Sequence, residues 1–361
     1  STMMHSFATV ALVSVLWVVA GYSLAFSEGS WFVGGLDKMM LSGVMVGTVS
    51  GTIPESLFML FQMTFAIITV AIIAGSIAER MKFSSFLTFA GIWVPAVYAP
   101  VCHWVWGGGW LFADGALDFA GGTVVHINAG VAGLVAAYMI GNRTGLGREP
   151  MAPHNLVLTV MGASLLWIGW FGFNGGSALA ANGTAAMAMV VTQVAAAAGA
   201  LAWMAAERIA RGKASVLGAA SGAIAGLVGI TPAAGFVDVS GALAIGVICG
   251  AVCFWAATTL KRMLKVDDSL DAFGLHGVGG ILGALLTGVF ISEAIAPSAA
   301  TALSFGAQMW VQLEGVLATV AYSAIMTFII LKVIDLVMGL RVTEEEEREG
   351  LDVSQHGERI E

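Results

Sequence analysis

The chain has 361 residues, of which 58% are hydrophobic and 11% are charged, and its mean hydropathy is +0.90. These values exclude a soluble globular domain, and repeated apolar runs of about 20 residues indicate a polytopic helical membrane protein. The net charge of −8 lies largely in the C-terminal tail, so it indicates no nucleic-acid partner. The three cysteines lie in apolar runs, and we assign them no disulfide, metal or other cofactor.

Ten apolar segments are long enough to cross a bilayer, which takes about 20 residues of helix. They fall at residues 7–27, 56–79, 84–105, 121–141, 155–175, 183–207, 215–231, 239–262, 272–291 and 309–338. Short connections join them. We therefore expect one transmembrane domain over residues 1–338 and an acidic soluble tail over residues 339–361.

The basic residues predict the orientation, because such residues concentrate in cytoplasmic loops. If Ser1 is cytoplasmic, only Lys38 falls outside, and 14 of the 15 basic residues fall inside. Those inside are Arg80, Lys82, Arg143, Arg148, Arg208, Arg211, Lys213, Lys261, Arg262, Lys265, Lys332, Arg341, Arg348 and Arg359. We expect a multi-pass protein of the inner (plasma) membrane with a cytoplasmic C-terminus.

Two apolar segments each contain a histidine within the same local pattern. His126 and His276 each have an aspartate eight residues earlier (Asp118 and Asp268) and glycines four and seven residues later. Those glycines share the histidine's helix face and let another backbone approach closely. A lone membrane histidine can simply hydrogen-bond a neighbouring helix, but two in one repeated frame favour a functional pair. We assign no role to the other histidines, which are His5, His103, His154 and His356.

The two histidine segments are the fourth and ninth crossings, so they run in opposite directions. Equivalent helices five crossings apart with opposite direction indicate an inverted five-helix repeat around a central pore. Such a repeat needs one more helix before residue 1, and we expect that the first transmembrane helix is missing from this sequence. A ten-helix protein with an asymmetric repeat is the alternative. Counted from the helix starts at about 1.5 Å per residue, each histidine lies about 9 Å inside the membrane, and the two lie toward opposite membrane faces.

The external connections are almost uncharged and rich in aromatic residues. Two tryptophans of the first such connection fit a belt at the membrane surface. A tight loop packed against the rest of the protein is a better interpretation for Trp106, which three glycines follow. The same holds for the closely spaced Trp170 and Phe173. Aromatic faces attract cations. Phe61 and Phe65 stand one helical turn apart and extend this candidate cation site, although that spacing also suits a core.

Five long runs occur in a fixed order along the chain: LDFAGGTVVHINAGVAGLVAAYMIG, IGWFGFNGGSAL, LGAASGAIAGLVGITPAAGFV, VDDSLDAFGLHGVGGILGALLTGVF and GLRVTEEEEREGLD. In these runs, and over essentially its whole length, the sequence resembles the ammonium transporter (Amt/Mep/Rh) family, in its bacterial or archaeal Amt branch. The resemblance implies eleven crossings, a homotrimer with one pore per subunit, and control from the cytoplasm by a PII-type signal protein. This chain opens at the equivalent of the family's second crossing.

The resemblance also implies an external site that receives ammonium. Phe65, Trp106 and Ser177 match the aromatic cage and hydroxyl of that site, with Phe61 as a weaker neighbour. Phe65 and Phe173 match the stacked phenyl gate beneath the cage.

Deeper in the pore, His126 and His276 match the family's twin histidines, which the family places in contact. Trp170 matches a tryptophan that lines the pore, and Asp118 matches an aspartate that supports the external site. Contact between the histidines requires recessed vestibules or helix starts deeper than the hydropathy pattern suggests.

We expect an electrogenic ammonium transporter that recruits NH4+ at the cage, deprotonates it near the gate and passes NH3 while the histidines relay the proton. One alternative is an electroneutral channel for NH3 or CO2, and another is an ammonium sensor that acts through a separate partner. An integral membrane enzyme is the weakest alternative, because the sequence shows no nucleophile–base set and no metal-ligand spacing.

The tail GLRVTEEEEREGLDVSQHGERIE begins at residue 339. Acidic runs are usually solvated surface or disordered ends. Gly350, between Glu349 and Leu351, instead favours a turn that docks the tail on the membrane domain as a regulatory element. Glu344 and Arg348 have the spacing of an i,i+4 ion pair on a helix.

Overall fold

The computed structural model describes residues 2–358 as an almost wholly helical chain. Ser1 and Arg359, both used to predict the orientation, lie outside the described residues. The helices in chain order are α1 (Thr2–Phe26), α2 (Glu55–Ser76), α3 (Phe83–Ala113), α4 (Gly122–Ile140), α5 (Leu156–Gly176), α6 (Gly183–Arg211), α7 (Val216–Ile230), α8 (Val239–Leu264), α9 (Phe273–Phe290), α10 (Pro297–Ala302), α11 (Phe305–Met338), α12 (Glu344–Glu349) and α13 (Leu351–His356).

The prediction of an all-α polytopic membrane protein is confirmed. Within residues 2–358, nine helices are long and apolar enough to span a membrane, and the predicted crossing at 215–231 corresponds to the 15-residue α7. The same described residues also include a small antiparallel hairpin of strands β1 (Val49–Ser50) and β2 (Ile53–Pro54). It belongs to the long connection between α1 and α2.

Both histidine helices begin with a π-helical turn that contains the histidine. His126 lies in Gly122–Ile127 and His276 in Phe273–Gly277, and 13 residues of α-helix follow each turn. π-turns are rare, and they occur frequently at functional sites. The sequence therefore repeats a local structure and not only a spacing of residues.

An aspartate caps the start of each of these helices. Asp118 accepts four backbone N–H groups, those of residues 121–124, at 2.6–3.1 Å. Asp268 accepts the backbone N–H of Phe273 at 2.7 Å. The first N–H groups of a helix lack partners within the helix, and a carboxylate there also meets the positive end of the helix dipole. The aspartate eight residues before each histidine is therefore the residue that caps the histidine's helix.

Helices α4 and α9 cross where glycine replaces a side chain. A Cβ added to Gly130 would lie 2.3 Å from the backbone nitrogen of Gly277, and one added to Gly280 would lie 3.0 Å from that of Ile127. Each contact joins the fourth residue after one histidine to the residue directly after the other. This exchange is reciprocal, as a two-fold axis between the repeats requires.

An ion pair ties the two histidine helices together at the opposite end of α4. Arg143, just beyond α4, bonds both carboxylate oxygens of Asp267 at 2.9 Å, and Asp267 directly precedes the capping Asp268. Burial raises the pKa of the Asp267 carboxyl, but the hydrogen bonds and charge of Arg143 outweigh that effect and lower it below its usual value. The buried carboxylate therefore keeps its charge.

The beginning of the tail packs against the connection between α2 and α3. Leu340 accepts the backbone N–H of Lys82 at 2.9 Å, and Val342 donates its own to Arg80 at 3.1 Å. Both Leu340 and Val342 are buried. These bonds fix the first residues after α11, while the division into domains at residues 338 and 339 stays a prediction.

Further along, ion pairs and hydrogen bonds of charged side chains hold the tail in place. The predicted pair of Glu344 and Arg348 is confirmed at 2.8 Å. Glu347 accepts from Arg341 and from the backbone N–H of Thr144, each at 2.7 Å, which joins the tail to the loop after α4. Gly350 has φ +97°, a backbone angle that favours glycine.

We expect Gly130→Ala to destabilise the protein, because its methyl group has only backbone to displace. Overpacking of this kind costs about 1–3 kcal/mol. The control is Gly91→Ala in α3, where nothing lies within 4 Å of the added Cβ. Thermal unfolding in detergent, followed by the surviving size-exclusion peak, should give a lower midpoint for Gly130→Ala alone. Equal midpoints would contradict the close crossing.

Candidate functional site

The two histidine rings are in direct contact. Their Nδ1 atoms lie 3.1 Å apart, and the ring centroids are 5.2 Å apart at an interplanar angle of 22°. His126 is only 4% exposed, and His276 is also largely covered. In the neutral pair one Nδ1 must donate and the other accept, so the partners are opposite tautomers. The pair thus offers the pore one N–H donor and one bare nitrogen at its Nε2 atoms.

Helix counting alone puts the histidines near opposite faces, but the structure shows the contact that the resemblance implies. The helices begin within a residue of the predicted starts, at Gly122 and Phe273. The connections before them, however, are sunk into the protein, since Asp118, Asp267 and Asp268 are all buried. The helix starts are therefore deeper than hydropathy suggests, and the crossing at the glycines brings the first turns together.

Trp170 of α5 covers the other side of His126. The indole and imidazole stack at 5.4 Å between centroids with an interplanar angle of 16°. The indole N–H donates to the hydroxyl of Thr231 at 2.7 Å, and that hydroxyl donates to the carbonyl of Leu227 at 2.7 Å. Sequence reasoning missed Thr231, for which the only signal was a hydroxyl beside a proline in an otherwise apolar run.

Four aromatic rings form a continuous cluster above this level. Phe65 is at its centre and only 2% exposed. Its ring centroid lies 4.7 Å from that of Phe173, 4.9 Å from that of Phe61 and 5.4 Å from that of Trp106. The structure thus brings together all the aromatic residues that the sequence suggested for the cage and gate.

Ser177 and Trp106 are each held by a hydrogen bond to a carbonyl group. The Ser177 hydroxyl donates to Phe173 at 2.7 Å, which leaves its oxygen free to accept. The Trp106 indole donates to the carbonyl of Asp118 at 2.7 Å. Asp118 itself is 7% exposed; burial raises the pKa of its carboxyl, and the four capping N–H groups oppose that rise.

A small cavity lies between the phenyl rings and His126. Its volume is about 20 Å³, enough for one molecule of the size of water or ammonia. Phe65 and Phe173 line one part of it, and His126, Trp170 and Thr231 line another. Its other lining residues, Ile68, Ala120, Val125 and Leu166, are all apolar.

Gly350 lies outside this cluster, in the tail between α12 and α13. His103, to which we assigned no role, lies within α3 and is 2% exposed. Among residues 2–358, no group of three or more histidine, cysteine, aspartate or glutamate side chains could hold a metal ion.

Comparison with known proteins gives one consistent result. The model of the Ammonium Transporter Family matches residues 1–360. The chain is 52% identical to an ammonium transporter of Bacillus subtilis over 363 residues, which cover 99% of this chain and 89% of that one. It is 48% identical to ammonium transporter Amt1 of Archaeoglobus fulgidus over 356 residues, covering 98% and 88%.

Solved structures agree. The crystal structure of Saccharomyces cerevisiae Mep2 superposes with a TM-score of 0.87 at 36% identity, covering 96% of this chain and 80% of that one. A protein described as a sensor Amt protein superposes with a TM-score of 0.89 at 30% identity, covering 98% and 89%. The chain therefore belongs to the ammonium transporter family, a family of transport proteins and not of enzymes.

Proposed function

We propose that this transporter recruits NH4+ at an external site formed by Phe61, Phe65, Trp106 and Ser177. At the gate of Phe65 and Phe173 the ion transfers a proton to the histidine pair, and NH3 passes on. The observation that carries this proposal is the small apolar cavity, because it connects the gate directly to His126. The proton moves by way of the histidine pair, so that transport is electrogenic.

Desolvation energies favour separate passage of NH3 and the proton. Moving a bare ammonium-sized ion into an apolar medium costs on the order of 20 kcal/mol in the idealised limit. Neutral ammonia costs far less. Aromatic faces attract a cation by roughly 0.5–2 kcal/mol, which is enough to concentrate the ion but not to carry it through the cavity. Deprotonation before entry removes most of the cost.

The histidine pair suits a proton relay. One Nε2 can accept a proton and the other can donate one, while the Nδ1 contact at 3.1 Å passes the change between the rings. Because the rings touch, protonation belongs to the pair and not to either ring. The stacked indole of Trp170 covers His126 and limits the paths that a proton can take.

An electroneutral channel for NH3 is the competing function within the same fold. Trp106 favours recruitment of the ion, because its ring lies against Phe65 and extends the aromatic surface at the mouth. A gas channel needs no cation site. The half-saturation concentration for ammonium therefore distinguishes a transporter that recruits the ion from an electroneutral gas channel.

The oligomer and the membrane location are further parts of the proposal. In α5 only Trp170, Asn174 and Gly175 are buried, so nearly all sides of an apolar helix need a cover. A homotrimer in the inner membrane supplies lipid and subunit contacts. A cytoplasmic C-terminus fits the basic residues, since Arg143 and Arg341 lie together at the end of the molecule that carries the tail.

The tail borders a large cavity on the side proposed to be cytoplasmic. This cavity has a volume of about 790 Å³, and Glu79, Arg143, Glu347 and Arg348 are among its lining residues. Charges of both signs in one concave surface suit a protein partner with complementary charges. We propose a PII-type signal protein as that partner and the tail, with its turn at Gly350, as the regulatory element.

We expect His126→Ala and His276→Ala each to reduce ammonium-driven current to less than about a tenth of the wild-type value. A positioned acid–base group contributes about a hundredfold or more to proton transfer. Currents from proteoliposomes on a solid-supported membrane, with ammonium and K+ pulses, measure both rate and selectivity. His154→Ala, in an exposed loop, is the control. Full current with unchanged selectivity in both pore variants would rule out the relay.

We expect Trp106→Leu to raise the half-saturation concentration by about 2-fold to 30-fold, as loss of 0.5–2 kcal/mol of cation attraction requires. The maximal current should change less, because the variant removes attraction at the mouth and not the path. Ser177→Ala should act in the same direction. Trp310→Leu, an exposed tryptophan on α11, is the control. Unchanged half-saturation in both site variants would show that the cation site is elsewhere.

We expect Gly350→Asp to reduce transport although it lies in the tail. A side chain at φ +97° and ψ 132° is strained, and such a sparsely populated backbone conformation costs an ordinary residue about 1–3 kcal/mol. The matched control is Gly212→Asp, which adds the same charge at φ +82° outside the tail. Initial transport rates of the two variants in the same proteoliposome assay test the tail. Equal rates in wild type and both variants would mean that the tail does not influence transport.

A further inference from the structure

The connection between α1 and α2, residues 27–54, is a folded element that we call the outer loop. Hairpin strands pair Val49 with Pro54 and Ser50 with Ile53. Lys38 of the loop forms an ion pair with buried Glu55, the first residue of α2, and Glu55 also accepts the Tyr22 hydroxyl at 2.9 Å. These contacts give the loop a fixed shape between its two ends.

The start of the outer loop is bonded to the turn that carries Trp106. His103 lies 2.9 Å from the carbonyl oxygen of Ala25 through Nδ1 and 2.9 Å from that of Ser30 through Nε2. The carbonyl of His103 also accepts the N–H groups of Gly107 and Gly109, at 3.0 and 2.9 Å. One buried residue thus joins the beginning of the loop to the glycine turn that directly follows Trp106.

The far end of the outer loop is bonded to the turn that carries Ser177. Thr52, at the tip of the hairpin, donates its hydroxyl to the carbonyl of Leu179 at 2.5 Å across 127 residues of sequence. Leu179 lies three residues beyond the end of α5 and has φ +52°, in the left-handed region that favours glycine. Ser177 is two residues earlier in the same turn, where the N–H of Leu179 bonds Gly176 at 2.8 Å.

The two bonded turns meet at the aromatic cluster. A Cβ added to Gly176 would lie 3.0 Å from the Phe61 ring, so the Ser177 turn packs against the cage without space to move inward. On the other side, Trp106 contacts Phe65. A displacement of either turn therefore changes the distance between the indole and the hydroxyl.

We propose that the outer loop braces the external ammonium site, with His103 positioning Trp106 and Thr52 positioning Ser177. The inference rests on the proposed function, because it assumes that Trp106 and Ser177 receive the ion. Neither His103 nor Thr52 touches the ion. They act by holding the two sides of the site at a fixed separation, which sets its affinity for NH4+ and leaves the path below the gate unchanged.

The decisive variant is Thr52→Val, which keeps the shape of the side chain and removes the hydroxyl. Thr52 is exposed, so folding should tolerate the change. We expect the half-saturation concentration for ammonium to rise about threefold in solid-supported-membrane currents, with maximal current and thermal midpoint unchanged. Loss of one side-chain hydrogen bond justifies an effect of this order. Thr52→Ser restores the hydroxyl and should restore the wild-type value.

Thr301→Val is the matched control, because that exposed threonine bonds only within its own helix, to Pro297 at 2.8 Å. Wild-type half-saturation in Thr52→Val, or no recovery in Thr52→Ser, overturns the brace. A loss of maximal current at unchanged half-saturation also overturns it. If Trp106→Leu raises half-saturation while Thr52→Val does not, the cation site stands and the brace is wrong. If neither variant changes it, the cation site itself is wrong.

Discussion

The close approach of α4 and α9 is the constraint on which the pore depends. Gly130 lies against Gly277, and Gly280 lies against Ile127. A methyl group added to either glycine would have to displace backbone atoms. This contact is what allows two imidazoles from different helices to meet at 3.1 Å. Larger side chains at these positions would separate the helices by more than the rings can span. The histidine pair is therefore a consequence of backbone packing as much as of the histidines themselves.

The same packing keeps charge away from the pair. The main ion pairs lie outside the pore, as Lys38–Glu55 does in the outer loop and Arg143–Asp267 and Arg341–Glu347 do near the tail. Asp118 is buried, but four backbone N–H groups satisfy its carboxylate. A bare ion in such surroundings would be energetically expensive, which supports the proposed separate passage of NH3 and the proton.

Local and repeated features could be predicted from the sequence. The aspartate, histidine and glycine positions recur in two segments, so their pattern indicated the internal repeat and the close crossing. The i,i+4 pair of Glu344 and Arg348 was also local. Hydropathy could not give the depth of the helix starts, because a run of apolar residues looks the same whether its first turn is at the surface or buried.

Contacts between distant segments could not be predicted in this way. Trp170 forms a hydrogen bond with Thr231, which is 61 residues away in the sequence, and Thr52 forms one with Leu179, which is 127 residues away. His103 gave no signal, because its partners are backbone carbonyl groups, which every residue possesses. A hydrogen bond to a carbonyl leaves no complementary residue in the sequence. Such contacts become visible only when the chain is folded.

The backbone of the pore is symmetric, but its side chains are not. Both histidines begin equivalent helices, yet Trp170 stacks only on His126, and the small cavity beneath the phenyl rings is lined by His126 and not by His276. On the proposed path this difference sets the order in which a molecule meets the two histidines. A molecule that has passed Phe65 and Phe173 meets His126 first, and His276 can exchange a proton with it only through the Nδ1 contact. Two-fold packing thus creates the pair, and the unpaired tryptophan makes its two members unequal.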